Sequence, residues 1–178
     1  MDLINKFTIE GEEFDNLQKE LAEFYNADIP FFNPFDEHSR RDNIPVIVPR
    51  VDVSHGDMTV NIIEKFDLKV FPKIIMRNIK ALTGSDNFDI VNCWGTDMKK
   101  GSEGLLHHHL PTEISGVYYH AIDPDDSKIE YMIDGKLVQF ESKLGTMFIW
   151  PAHVLHRIPL KTSDSKRRSV SFNLMYKG

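Results

Sequence analysis

Three consecutive histidines, His107, His108 and His109, are followed further along the chain by His153 and His156. A neutral imidazole offers one nitrogen lone pair to a divalent metal, and a useful site needs several of them converging from one side. Side chains on a strand alternate between faces, so on a strand His107 and His109 point the same way and His108 points oppositely. The triplet then reads as ligand, spacer, ligand. A third ligand has to come from elsewhere, and the stretch "GTMFIWPAHVLHRIPL" offers His153 and His156 after an apolar strand. An imidazole entering such an apolar environment requires a polar partner, and a metal is one. Ligation by imidazole alone suits iron, zinc, copper or nickel, so ligand type does not select the ion.

The elements that have to position these histidines fall into two halves. Residues 1–87 read as mostly helical: Phe14, Leu17, Leu21 and Phe24 lie at helical spacing. From Asp57 to Leu82 a second helical pattern is expected in two pieces, broken around Asp67 to Pro72 and stopped at Gly84. Between them, Ala27 to Pro45 is rich in Pro, Asp, Asn and Phe, and serves as a candidate lid. "VIVPRVDV" then reads as a short edge strand interrupted by Pro49. Residues 88–178 carry short runs rich in β-branched and aromatic residues, separated by turn signals. Asp134-Gly135 between two such runs predicts a hairpin. The expectation is one domain over residues 1–178, mainly β with an α-helical N-terminal part, its strands forming an antiparallel barrel or sandwich.

Bulk properties set the context. The 178 residues are 41% hydrophobic and 27% charged, an ordinary soluble balance. The net charge of −6 argues against a non-specific nucleic-acid binder. No apolar run has the length of a membrane span, and Met1–Thr8 lacks a signal-peptide core. Cys93 is the only cysteine, which excludes an intramolecular disulfide and a thiolate zinc cage. A cytoplasmic protein is the expectation, and exposed strand edges make a homodimer reasonable.

From Trp94 onward the chain resembles the iron(II)- and 2-oxoglutarate-dependent oxygenase superfamily, and in particular a small bacterial and phage branch of it. The first block is Trp94, Gly101, His107-His108-His109 and Ser115-Gly116-Val117-Tyr118-Tyr119. The second is Phe148-Ile149-Trp150-Pro151, His156-Arg157, Arg167-Arg168-Ser169 and Phe172-Asn173. The resemblance covers roughly residues 88 to 175 and implies a double-stranded β-helix, a jelly-roll barrel of the kind cupins also use. It implies Fe(II) held by His107, His109 and His156, with 2-oxoglutarate as cosubstrate and O2 as oxidant. Arg167, helped by Ser169, is implied to pair with the far carboxylate of 2-oxoglutarate, for which a planar guanidinium is suited. Arg168 is the competitor if the strand register slips by one residue. The implied reaction is hydroxylation of a C–H bond in a small molecule or side chain. One departure stands out: His109 occupies the position at which the superfamily usually carries a carboxylate.

The same stretch also fits much of a cupin pattern, in which Glu113 becomes a fourth ligand and no 2-oxoglutarate is used. A non-catalytic barrel is the third reading. The S-G-V-Y-Y run and the R-x-S strand are accounted for only by the oxygenase resemblance. Trp94, Tyr118 and Tyr119 are candidates for the pocket wall, His120 and His153 for surface or supporting positions, and His108 should be dispensable for metal.

Overall fold

The structure, a computed structural model, describes residues 2–27, 57–58, 62, 66–126 and 128–178. The candidate lid beyond Ala27, the expected edge strand at 46–53 and most of the first helical piece lie outside the described residues; of that piece Ile62 is helical, but Asp57–Met58, expected at its start, form a short strand pairing with Asp97 and Thr96 instead.

The elements run β1 (Asn5–Thr8), α1 (Gly11–Asn26), β2 (Asp57–Met58), α2 (Val70–Thr83), β3 (Phe88–Met98) and β4 (Gly104–His107). They continue through β5 (Ile114–Ala121), a 3-10 turn (Pro124–Asp126), β6 (Lys128–Ile133) and β7 (Lys136–Glu141) to β8 (Thr146–Pro151), β9 (His156–Ile158) and β10 (Arg167–Tyr176). The strands form two antiparallel sheets, a large one ordered β1-β8-β5-β10-β3-β2 and a small one ordered β4-β9-β6-β7. Among the described residues the chain is therefore mainly β, with α1 and α2 as its continuous helices.

Alternation along the strands assigns the two faces of the large sheet. On β10, Val170, Phe172 and Leu174 join α1 and α2 in one buried cluster with Leu17, Leu21, Phe24, Ile74, Ile75 and Ile79. Arg167, Ser169, Ser171 and Asn173 occupy the opposite, inner face. That face meets the small sheet through a second cluster of Val117, Tyr119, Phe148 and Trp150 from one sheet and Ile129 and Tyr131 from the other. Register puts Ser171 opposite Trp94 and Val117, so these two also face inward.

Two local details show how the helical layer is pinned. Pro72 lies in the first turn of α2 rather than in a break, a position where its missing N–H costs little. The α2 N-terminus has no local side-chain cap; Glu20 of α1 accepts hydrogen bonds from the backbone N–H groups of Val70 at 2.9 Å and Phe71 at 2.8 Å. At the other end Gly84 takes a left-handed conformation, φ +76°, and its N–H donates to the Lys80 carbonyl, as the stop signal predicted. The glycine of the S-G-V-Y-Y run has a packing reason: a Cβ on Gly116 would sit 2.2 Å from the Phe172 ring.

The Asp134-Gly135 hairpin forms between β6 and β7, with both residues at positive φ, 50° and 75°. The eleven-residue separation of His156 and Arg167 would suit a hairpin turned at "TSDSK", but the structure does not form one. β9 belongs to the small sheet and β10 to the large one, so "TSDSK" crosses between sheets. β1 was not expected from sequence; its four residues pair with β8 at the edge of the large sheet.

Candidate metal centre

Strand β4 ends at His107, so the triplet does not ride on one strand as its spacing suggested. The chain turns immediately afterwards, and the His109 N–H donates to the Ala152 carbonyl at 2.8 Å while Thr112 caps the His109 carbonyl through Oγ1 at 2.6 Å. This turn still brings His109 back beside His107. His156 arrives from β9, whose register places it directly opposite His107. The ligand atoms of His107, His109 and His156 all lie within 4.8 Å of one another, the one such His/Cys/Asp/Glu group among the described residues. His108 and His153 are exposed and stand apart from it.

The geometry fits a divalent metal. Two nitrogens each about 2.1 Å from a common ion are about 3.0 to 3.4 Å apart for octahedral to tetrahedral angles; the His109 and His156 Nε2 atoms are separated by 3.3 Å. His107 Nδ1 lies 2.6 Å from the Leu105 carbonyl and His156 Nδ1 3.2 Å from the Val154 carbonyl. A carbonyl can only accept, so each Nδ1 carries the proton and each Nε2 is left with its lone pair. Burial drives all three rings toward the neutral form: the His109 pKa is pushed down to about 3, that of His156 well below its ordinary value, and that of His107 downward. Neutral imidazole is the form that binds metal.

Aromatic side chains enclose the group. The Trp94 ring centre is 5.8 Å from that of His109, and the Trp150 ring is 4.8 Å and the Tyr131 ring 5.9 Å from His156. Of the two tyrosines of the S-G-V-Y-Y run, only Tyr119 faces inward. Tyr118 turns to the helical layer, where its hydroxyl accepts from Gln18 Nε2 at 3.0 Å.

Farther along the same inner face lies Arg167, 1% exposed. Arg168 points the other way, over the Tyr25 ring and to the Asp97 carboxylate at 2.9 Å, so the strand register has not slipped. The Arg167 guanidinium donates to the carbonyls of Asp126 at 3.2 Å and Lys128 at 3.4 Å, and approaches Tyr119 Oη at 3.5 Å. Its Nη1 is 2.8 Å from Met98 Sδ. All of these partners are uncharged. Ser169, also buried, lies two residues along on the same face.

Two residues that the sequence reading passed over hold this end together. Lys161 and Asp126 form a buried ion pair at 2.7 Å, and Ser165 Oγ donates to the same carboxylate oxygen at 2.6 Å, with Ser163 Oγ beside it. Burial pushes the Asp126 carboxyl up, but these hydrogen bonds outweigh it and hold its pKa below the ordinary value. In sequence Lys161 and Ser163 belong to a polar turn, and nothing in their spacing announces burial.

Glu113, the extra ligand of the cupin pattern, is exposed and accepts a hydrogen bond from the Tyr176 N–H, outside the histidine group. His120 stacks on Tyr25 with ring centres 5.1 Å apart, also outside it.

Solved structures share this arrangement of elements. A prolyl-4-hydroxylase from Pseudomonas putida superposes with a TM-score of 0.65 at 12% identity, over 99% of this chain and 94% of that one. A prolyl hydroxylase from Trichoplax adhaerens, solved with a hypoxia inducible factor peptide fragment, gives 0.68 at 10% identity over 99% and 85%. The chain has the fold of these enzymes. HygX from Streptomyces hygroscopicus, solved with nickel and 2-oxoglutarate bound, matches with a TM-score of 0.66 at 9% identity, over 98% of this chain and 83% of that one. No family model and no curated protein matches by sequence.

Proposed function

We propose that this protein is an iron(II)- and 2-oxoglutarate-dependent oxygenase that hydroxylates a C–H bond of a small molecule or side chain, and that its two facing sheets are a double-stranded β-helix. The observation that carries this reading is the pairing of two unfinished sites on one inner face. Three neutral imidazoles converge without a carboxylate, and beyond them a buried guanidinium has no carboxylate partner among the described residues. One ligand with a metal-chelating end and a distant carboxylate completes both.

Fe(II) with 2-oxoglutarate and O2 would supply the oxidising chemistry, giving succinate and carbon dioxide beside the hydroxylated product. His107, His109 and His156 would hold the ion. Because all three are uncharged, the ion's charge is left for the cosubstrate to balance. Arg167 would bind the far carboxylate, with Ser169 and Tyr119 beside it as hydroxyl partners. Trp94 and Trp150 would exclude water and fix the imidazole planes.

Anaerobic addition of Fe(II) and then 2-oxoglutarate to the apoprotein tests the proposal. A visible metal-to-ligand charge-transfer band is expected, and it should vanish in Arg167→Ala. Iron binding without any band would overturn the oxygenase reading.

A further inference from the structure

A groove with a volume of about 540 Å³ opens between α1 and the end of β5. Phe14, Ile122 and Leu144 give it apolar walls, and Leu144 is half exposed there despite its size. His120 and Lys166 add polar groups. His120 follows the inward-facing Tyr119 on β5 and stacks on Tyr25 of α1. The groove therefore lies on the face of the large sheet opposite the histidine group.

The polar groups of this groove lack an anionic acceptor. Lys166 forms no ion pair among the described residues. The His120 ring lies face to face with Tyr25, centres 5.1 Å apart, yet its Nδ1 is sealed from solvent without a hydrogen-bond partner. Burial, and after it the positive field of Arg168, keeps this imidazole neutral; the Arg168 guanidinium lies 5.0 Å from the Tyr25 ring centre and pairs with Asp97. A neutral imidazole has one proton, and in a sealed position an unmet acceptor is tolerated better than an unmet donor. The proton therefore sits on Nε2, which is left to donate to a ligand. The remaining polar groups of the groove are engaged within the chain. Gln18 Nε2 donates to Tyr118 Oη at 3.0 Å, and the Asp123 carboxylate accepts from the Asp125 N–H at 3.1 Å.

We infer that this groove is a second ligand site, separate from the metal centre, for a small organic carboxylate with an apolar body. Lys166 meets its charge, His120 donates to one of its oxygens, and Phe14, Ile122 and Leu144 hold the body. One ammonium and one neutral donor match a single negative charge, whereas Asp123 at the rim disfavours a doubly charged phosphate. The inference does not depend on the chemistry of the histidine group.

The probe is 2-naphthoate, with 2-naphthylmethanol and 2-naphthylmethylamine as its uncharged and cationic counterparts. Calorimetric titration of the Zn(II)-loaded protein gives the affinities, and the ring C–H signals of the histidines in two-dimensional NMR spectra locate the probe. Saturable binding of 2-naphthoate that moves the His120 signals is expected, with the alcohol and the amine at least about twofold weaker. His120→Phe keeps a ring on Tyr25 and removes both nitrogens; it should weaken 2-naphthoate about tenfold, the worth of a hydrogen bond to a charged group. Lys166→Met changes an exposed residue that the fold does not need, and should weaken it about two- to fivefold. An amine that binds as tightly as 2-naphthoate would overturn the inference, as would unchanged affinity in Lys166→Met. So would the absence of saturable binding, or shifts confined to His107, His109 and His156, which would place the probe at the metal centre.

Discussion

The two ends of the inner face handle buried polarity in opposite ways. At the histidine end three imidazoles are kept neutral by burial, and two of them have their Nδ1 positions tied to carbonyls. At the arginine end the groups are ions: Lys161 and Asp126 neutralise each other, while among the described residues Arg167 is met only by carbonyls, a hydroxyl and a thioether. The first end is short of a cation and the second of an anion. Polar groups this deep are costly unless neighbouring dipoles meet them, and on the proposed function the remaining deficit would become binding energy when ligands arrive.

The largest expected effect breaks the arginine end. Lys161→Met leaves the Asp126 carboxylate buried without its ammonium, and a loss of about 3 to 5 kcal/mol is expected from urea denaturation of the apoprotein. A loss below about 1 kcal/mol would mean that the pair behaves like a surface ion pair, contrary to its burial.

Alanine at His107, His109 or His156 probes the other end. Each should weaken Ni(II) binding by at least about 100-fold, above the 10–100-fold carried by residues that merely support ligands. His108→Ala and His153→Ala should leave Ni(II) affinity unchanged. A His109→Ala protein that keeps wild-type affinity would reduce the site to two histidines.

A third test separates the two ends by pH. The folded pKa values of His107, His109 and His156 lie below the ordinary 6.5, so below that pH the unfolded chain binds protons that the folded chain does not. Apoprotein stability should fall as pH drops from about 6.5, by up to ~1.4 kcal/mol per pH unit for each such proton. Asp126 acts in a lower window: its pKa lies below the ordinary 3.8, so its stabilisation is present above that pH and is lost only as pH falls through its own lower value. Between pH 6.5 and 5 the slope therefore reports histidines. His120, pushed down to about 4 by burial and then by Arg168, adds to it and is removed from the comparison with His120→Gln. A flat profile in that interval would show that the imidazoles are not buried neutral.

Much of this was legible in the residues. The alternation in "RRSVSFN" already divided Arg167 and Ser169 from Arg168, Val170 and Phe172, because a buried sheet face leaves the register no freedom to slip. The two helices with apolar stripes, the Gly84 stop and the Asp134-Gly135 turn depend on contacts within a few residues, and so could be read from spacing. So could the H-x-H pair, although the strand that was to carry it ends at its first histidine.

What spacing could not carry was any partner drawn from far along the chain. Spacing alone left His153 and His156 both open; the family resemblance chose His156, and the pairing of β4 with β9 is what sets it beside His107. Glu20 capping α2 and Lys161 entering the interior against Asp126 are both non-local. Composition and local period determine which elements form and which face of each is apolar, because those preferences are settled by neighbours one to four residues away. Which polar groups are desolvated, and which of them find each other, is decided only when the sheets close, because the cost of burying a polar group depends on what the rest of the chain brings to it.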